Sequence, residues 1–152
     1  MRKLMVRAWR ALRPVQWRVL WFTHAKFMVG VTGVVRDAEG RVLLVKHRFW
    51  PEGRQWGLPG GYAKKSETFE DTLVREVREE TGLDIRVLGL TLLKSGYRLR
   101  AEVAFEAELI GGAIGLDSFE IIEAGWFAAH ELPAGLREPH RLLINGFPSA
   151  NA

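Results

Sequence analysis

The amino-acid sequence predicts an α/β (α+β) domain behind a basic helical arm, and three observations lead there. Residues 27–35 and 42–49 are short runs rich in β-branched residues, parted by the turn-forming Asp37-Ala38-Glu39-Gly40, the pattern of a β-hairpin. Between residues 98 and 109, Leu99, Ala101, Val103, Phe105 and Ala107 alternate with Arg98, Arg100, Glu102, Ala104, Glu106 and Glu108. Such alternation argues for a strand with one buried and one more polar face. Residues 68–81 run without a breaker as far as Gly82, and Thr68 with Asp71 three residues on is a capping-box start. At 152 residues the chain reads as one domain, burying about two-thirds of its unfolded surface. The expected division is an arm over 1–26, a domain over 27–147 and a tail over 148–152.

Residues 1–36 hold eight Lys or Arg and no acid, interleaved with Trp9, Leu12, Trp17 and Trp21, while the whole chain carries a net charge of only +4. Pro14 divides the first 25 residues into two short helices. Arginines interrupt every apolar stretch, which argues against a signal peptide. The arm is expected to pack, through Trp9, Leu12, Trp17 and Trp21, on its own sheet or on a second copy in a homodimer. A membrane surface and nucleic acid are the alternative partners, because basic residues with Trp suit both. The chain has no cysteine, which removes disulfides and thiolate metal sites and is compatible with a cytoplasmic location.

Further along, Pro51–Arg54 reads as a loop, Trp56–Leu58 as a short strand, and Pro59-Gly60-Gly61 as a turn. Strands are expected at 85–93, 98–109 and 121–127, with a last helix over 138–144. The helix at 68–81 carries an unusual stripe: Phe69, Leu73, Glu76 and Glu80 are spaced 4, 3 and 4, so two carboxylates continue an apolar face, with Glu79 beside them. Burying like charges costs several kcal/mol unless a cation offsets them. Carboxylates without thiol or imidazole suit Mg²⁺ or Mn²⁺. The other reading is a solvated acidic helix end with Arg75 and Glu79 as an i,i+4 pair.

Gly61, Glu67, Arg75, Glu76, Val77, Glu79, Glu80, Gly82 and Leu83 reproduce every fixed position of the Nudix signature, G-x5-E-x7-R-E-U-x-E-E-x-G-U, where U is a bulky aliphatic residue. The segment therefore resembles the Nudix hydrolase family. The resemblance implies an α/β/α sandwich on a mixed sheet and a Mg²⁺-dependent (or Mn²⁺-dependent) nucleotide pyrophosphohydrolase. Its substrate would be a nucleoside diphosphate linked to another group, or a nucleoside triphosphate. Glu76, Glu79, Glu80 and the Gly61 carbonyl would hold the metal, Glu67 and Arg75 would fix loop and helix, and Glu79 would double as a base. Lys64 and Ser66 depart from the common acid and glycine at their positions, and neither is expected to touch the metal-binding carboxylates. An acid shortly before a Trp-Phe strand often faces the metal in this family. Glu120 is the first candidate for that role, with Glu123 and Asp117 as competitors.

Arg48 and Arg54 flank the loop and are candidates for substrate phosphates, or plain surface arginines. His24, His47, His130 and His140 show no ligand spacing and are read as non-catalytic. Tyr97 is a candidate for base stacking or edge packing. The reading from a different class is a Nudix-fold binding or regulatory module whose basic arm contacts membrane or nucleic acid. A lost signature glutamate would favour it, and none is lost.

Overall fold

A computed structural model describes residues 13–96 and 99–146. Trp9, Leu12, Tyr97 and the 148–152 tail lie outside them, as does the helix expected before Pro14. Helix α1 (Arg13–Thr23) has Pro14 in its first turn, where a missing N–H is tolerated. Trp17, Trp21 and Phe22 on α1 are largely exposed. The expected packing of Trp17 and Trp21 on the chain's own sheet is therefore absent. Lys26 instead lies 4.9 Å from the Trp21 ring centre, and no described helix is long and apolar enough to cross a membrane.

The strands are β1 (Met28–Arg36), β2 (Val42–His47), β3 (Trp56–Gly57), β4 (Gly60–Tyr62), β5 (Leu83–Gly96), β6 (Arg100–Gly112) and β7 (Ile121–Phe127). Helix α2 (Phe69–Thr81) falls between β4 and β5, and α3 (Glu138–Asn145) closes the domain. The strands make one seven-stranded mixed sheet. β1 runs parallel to β6, and the other pairings are antiparallel. The β1–β2 hairpin stays paired only at Arg36↔Val42. Beyond that point β4 takes the edge of β1, while β2 carries β3 and β7. The chain from Trp56 to Tyr62 thus crosses between two parting strands. Pro59-Gly60-Gly61 is a strand entry rather than the free turn expected, because β1 offers Gly60–Tyr62 an unpaired edge.

Both faces of the sheet are covered. Leu73 and Val77 of α2 meet Val31, Val35, Leu43, Leu83, Ile85, Val103 and Phe105 on one side. On the other, Ile144 of α3 joins Val34, Val42, Leu44, Leu58 and Leu136. Each such side chain contributes about 1.5–3 kcal/mol on leaving water, so α2 is held by its packing as well as by its caps. Two expectations change. Phe69, the first helical residue, is 38% exposed, and the buried stripe is Thr72, Leu73, Val77, Glu80 and Thr81. Ala104, placed with the polar face of β6, is buried because that strand lies inside the sheet, between β1 and β5.

Candidate metal and phosphate site

Helix α2 has a fixed phase because both ends are locked. At its start the Asp71 N–H donates to the Thr68 hydroxyl at 3.0 Å and the Thr68 N–H donates to the Asp71 carboxylate at 3.4 Å, the reciprocal capping box that the sequence predicts. At its end Gly82 takes φ 74°, the left-handed conformation that favours glycine, and donates to the Arg78 carbonyl at 3.0 Å. Leu73 and Val77 point inward, so Glu80, three residues after Val77 on the same face, is carried in to 7% exposure.

Glu80 accepts the Gly60 N–H at 3.1 Å. Burial raises its pKa to about 8, and the charges of Glu76, Glu120 and Glu79 add to the rise, against the Gly60 hydrogen bond. Gly61 lies against Glu76: a Cβ there would overlap the Glu76 carboxylate. The loop glycine of the signature is thus needed for close approach, and it sets the β4 backbone against an acid of α2.

Arg75 ties these parts together. Its Nε and Nη2 donate to Glu67 at 2.7 and 3.1 Å, its Nη1 to Glu76 at 2.7 Å and Glu79 at 3.1 Å, and its Nη2 also to the Tyr62 carbonyl at 3.3 Å. The Arg75 guanidinium, helped by the Lys64 N–H and the Thr72 hydroxyl, holds Glu67 down at about 2 against the effect of burial. Its carboxylate partners push the Arg75 pKa further up. Glu79 is 54% exposed and also lies 3.8 Å from the Lys64 ammonium. The expectation that Lys64 touches no signature carboxylate is therefore corrected: the Lys side chain is long enough to reach across the loop. Ser66 adopts φ 69°, which gives a physical reason for a glycine at its position.

Oxygen donors alone line this end of α2, and a buried carboxylate holding its proton up to about 8 is a group that a cation would ionise, so the donor chemistry fits a hard divalent ion. Among the described residues no three His, Cys, Asp or Glu side chains already stand close enough to grip one, since Arg75 spans Glu67, Glu76 and Glu79.

Of the three candidate acids before the Trp-Phe strand, Glu120 is the one whose charge acts on Glu80. Glu123 pairs with Lys46 at 3.2 Å, and Asp117 is exposed. Arg48 joins the Glu120 segment: its N–H donates to the Glu120 carbonyl at 2.8 Å and its Nε to the Phe119 carbonyl at 2.9 Å. Arg54 sits exposed in the 51–54 turn, closed by its N–H to the Pro51 carbonyl at 3.0 Å, and among the described residues its side chain makes no hydrogen bond or ion pair with the carboxylates. His47 stacks on Trp50 at 3.7 Å, and His140 Nδ1 accepts the Leu58 N–H at 2.8 Å, so both rings take part in packing. Sequence spacing carried no signal for the Lys64–Glu79 contact or for the joining of Arg48 to Glu120, since both depend on loops meeting.

A family model described as NUDIX domain matches residues 26–147. This chain belongs to the Nudix family. Among its relatives, the NAD-capped RNA hydrolase NudC of Mycobacterium tuberculosis (strain ATCC 25618 / H37Rv) is 33% identical over 112 residues, 68% of this chain and 33% of that protein. The chain spans about a third of the length of the NudC relatives. The ADP-ribose pyrophosphatase of Methanocaldococcus jannaschii is 31% identical over 126 residues, covering 78% of this chain and 72% of that one. The crystal structure of a MutT NUDIX hydrolase from Burkholderia pseudomallei shares the fold with TM-score 0.69 and 26% identity over 81% of this chain and 99% of the other. The mixed sheet between α2 and α3 is accordingly the Nudix fold, with α1 as an additional N-terminal helix.

Proposed function

We propose that this Nudix protein hydrolyses a pyrophosphate bond in a nucleotide, either a nucleoside diphosphate linked to another group or a nucleoside triphosphate, with Mg²⁺ or Mn²⁺ as cofactor. The observation that carries the reading is Glu80, buried on α2 where the charges of Glu76, Glu79 and Glu120 reach it and where α2 meets the Gly60-Gly61 backbone. Glu76, Glu79, Glu80 and the Gly61 carbonyl would hold the metal. When bound, the ion supplies Lewis acidity toward phosphate oxygens and makes water a nucleophile near neutral pH.

The chain's own residues do the rest. Arg75 tethers Glu67, Glu76 and Glu79 to one guanidinium, which limits how far these acids must move to reach an ion. Glu79, the most exposed of the acids bonded to Arg75, accepts the proton of the attacking water, and Glu120 completes the acidic wall from the opposite loop. Arg48 faces the substrate phosphates; Arg54 is assigned there by sequence alone. The names of the NudC and ADP-ribose pyrophosphatase relatives support a dinucleotide-like or ADP-linked substrate.

Turnover of a panel of nucleoside diphosphate conjugates and triphosphates, with Mg²⁺, Mn²⁺ or chelator, tests the reading. Hydrolysis at the pyrophosphate bond that stops in chelator is the expected result, and inactivity across the panel overturns it. The domain itself is proposed to be residues 27–147. The arm is proposed to serve contacts with a second copy, ahead of membrane or nucleic acid, and to supply no catalytic group. Deleting residues 1–26 should then change the sedimentation behaviour while leaving the metal requirement intact; loss of the metal requirement would contradict this.

A further inference from the structure

Phe49 and Phe119 are 65% and 73% exposed, and neither belongs to either hydrophobic core. They come from two different loops that are held side by side. His47↔Ile121 is the register pair at that end of the β2–β7 ladder, so the residue after His47 and the residue before Ile121 are neighbours. Arg48 clamps the loops through its bonds to the Glu120 and Phe119 carbonyls, and its guanidinium lies 5.1 Å from the Phe119 ring centre. The two rings stand 5.6 Å apart at 51°. Folding gains little from two adjacent phenyl rings left in water, whereas exposed aromatic rings beside a cation are the material of a base-stacking surface.

We propose that Phe49 and Phe119 form a ledge on which the heteroaromatic base of a nucleotide substrate stacks, with Arg48 receiving the adjoining phosphate. This rests on the hydrolase reading above and adds to it the side chains that hold the base. The base stacks on one outer face and is not sandwiched. A sandwich needs parallel rings about 7 Å apart, twice the contact distance of about 3.5 Å, and the tilted pair at 5.6 Å does not admit one. Arg48 spends its Nε on the Phe119 carbonyl, and among the described residues its terminal nitrogens have no acceptor, which leaves two nitrogens with four N–H donors for phosphate oxygens. The Arg48 N–H is bonded to the Glu120 carbonyl at 2.8 Å, so a phosphate on Arg48 would sit on the same loop as an acid whose charge acts on Glu80. Stacking tolerates any base, because every base has a π-face, and favours purines by area. The ledge therefore separates nucleotides from pyrophosphate or sugar diphosphates without reading one base.

Calorimetric titration of the full chain with ADP and with inorganic pyrophosphate, both with Mg²⁺, tests the ledge. Phe49→Leu and Phe119→Leu should each weaken ADP binding about tenfold, with pyrophosphate binding unchanged and KM rising at constant kcat for a nucleotide substrate. Phe119→Trp should restore ADP binding. Unchanged ADP affinity in the Phe49→Leu/Phe119→Leu double variant overturns the ledge and leaves the hydrolase reading standing. Equal weakening of both ligands also overturns it, since that marks a structural role. If the wild-type chain binds neither ligand, the hydrolase reading itself fails and the ledge with it.

Discussion

At the end of α2, Glu80 is buried and feels the charges of Glu76, Glu79 and Glu120; near the end of β2, His47 is buried and His140 half-buried around Trp50. Both regions take ionisable side chains out of water, and burial shifts each toward its neutral form. Glu80 rises to about 8, while His47 and His140 fall to about 4. At neutral pH the histidines escape the cost by losing a proton, and what remains are two neutral rings packed on Trp50 beside the Arg137 guanidinium, with Leu58 N–H bonded to His140 and, among the described residues, His47 Nε2 without a partner. Glu80 escapes in the same way, keeping its proton up to about pH 8, but the acids around it, Glu76, Glu79 and Glu120, come from two elements, and a cation is the group that would ionise it. The two regions differ in what they offer a ligand: several acids stand beside Glu80, while aromatic packing and the Arg137 guanidinium stand beside the histidines.

The comparison breaks most sharply at the acids. Glu76→Gln and Glu79→Gln should each lower kcat at least about 100-fold while the protein stays folded in chelator, as a thermal melt shows. Unchanged turnover in Glu79→Gln would defeat the metal assignment.

Arg75→Ala should lower both activity and stability, the latter by about 1–3 kcal/mol, because Glu67, Glu76 and Glu79 all lose a partner. Denaturant unfolding measures it, and a variant as stable as wild type would show that the clamp is dispensable.

The pH dependence sets the two regions against each other. Glu80 is raised on folding, from 4.5 to about 8, so its contribution is full below 4.5 and is lost as pH rises through 8. The histidines are depressed from 6.5 to about 4, so theirs is full above 6.5 and is lost as pH falls toward 4. Metal-free protein should melt highest near about pH 6.5. Glu80→Gln should remove the decline toward pH 8 and be at least as stable as wild type. His47→Phe, which keeps the ring on Trp50, should flatten the acid side. A Glu80→Gln protein melting well below wild type in chelator would mean that its carboxylate is a structural acceptor for Gly60.

The smallest effect is expected at Ser66. Its φ of 69° should make Ser66→Gly stabilising by about 1 kcal/mol, read as a shift in melting temperature; a lower melting temperature would mean that the hydroxyl has a role there.

Much of this molecule was legible beforehand, for physical reasons that act locally. The caps of α2 at Thr68 and Gly82, the hairpin turn at Asp37–Gly40 and the strand at Ile121–Phe127 depend on neighbouring residues, so their signals lie in the sequence itself. The spacing of Glu76, Glu79 and Glu80 on one helix was likewise readable, because the helical period alone puts them together. What tertiary structure decided were the meetings of distant loops and the depth of burial. Examples are β4 on the edge of β1, the reach of Glu120's charge to Glu80, Lys64 reaching Glu79, and the outward turn of Phe69. The same holds for Phe49 against Phe119 and for His47 against Trp50. Sequence spacing is silent on these, since each depends on which strand edges are left to pair and which side chains the sheet covers.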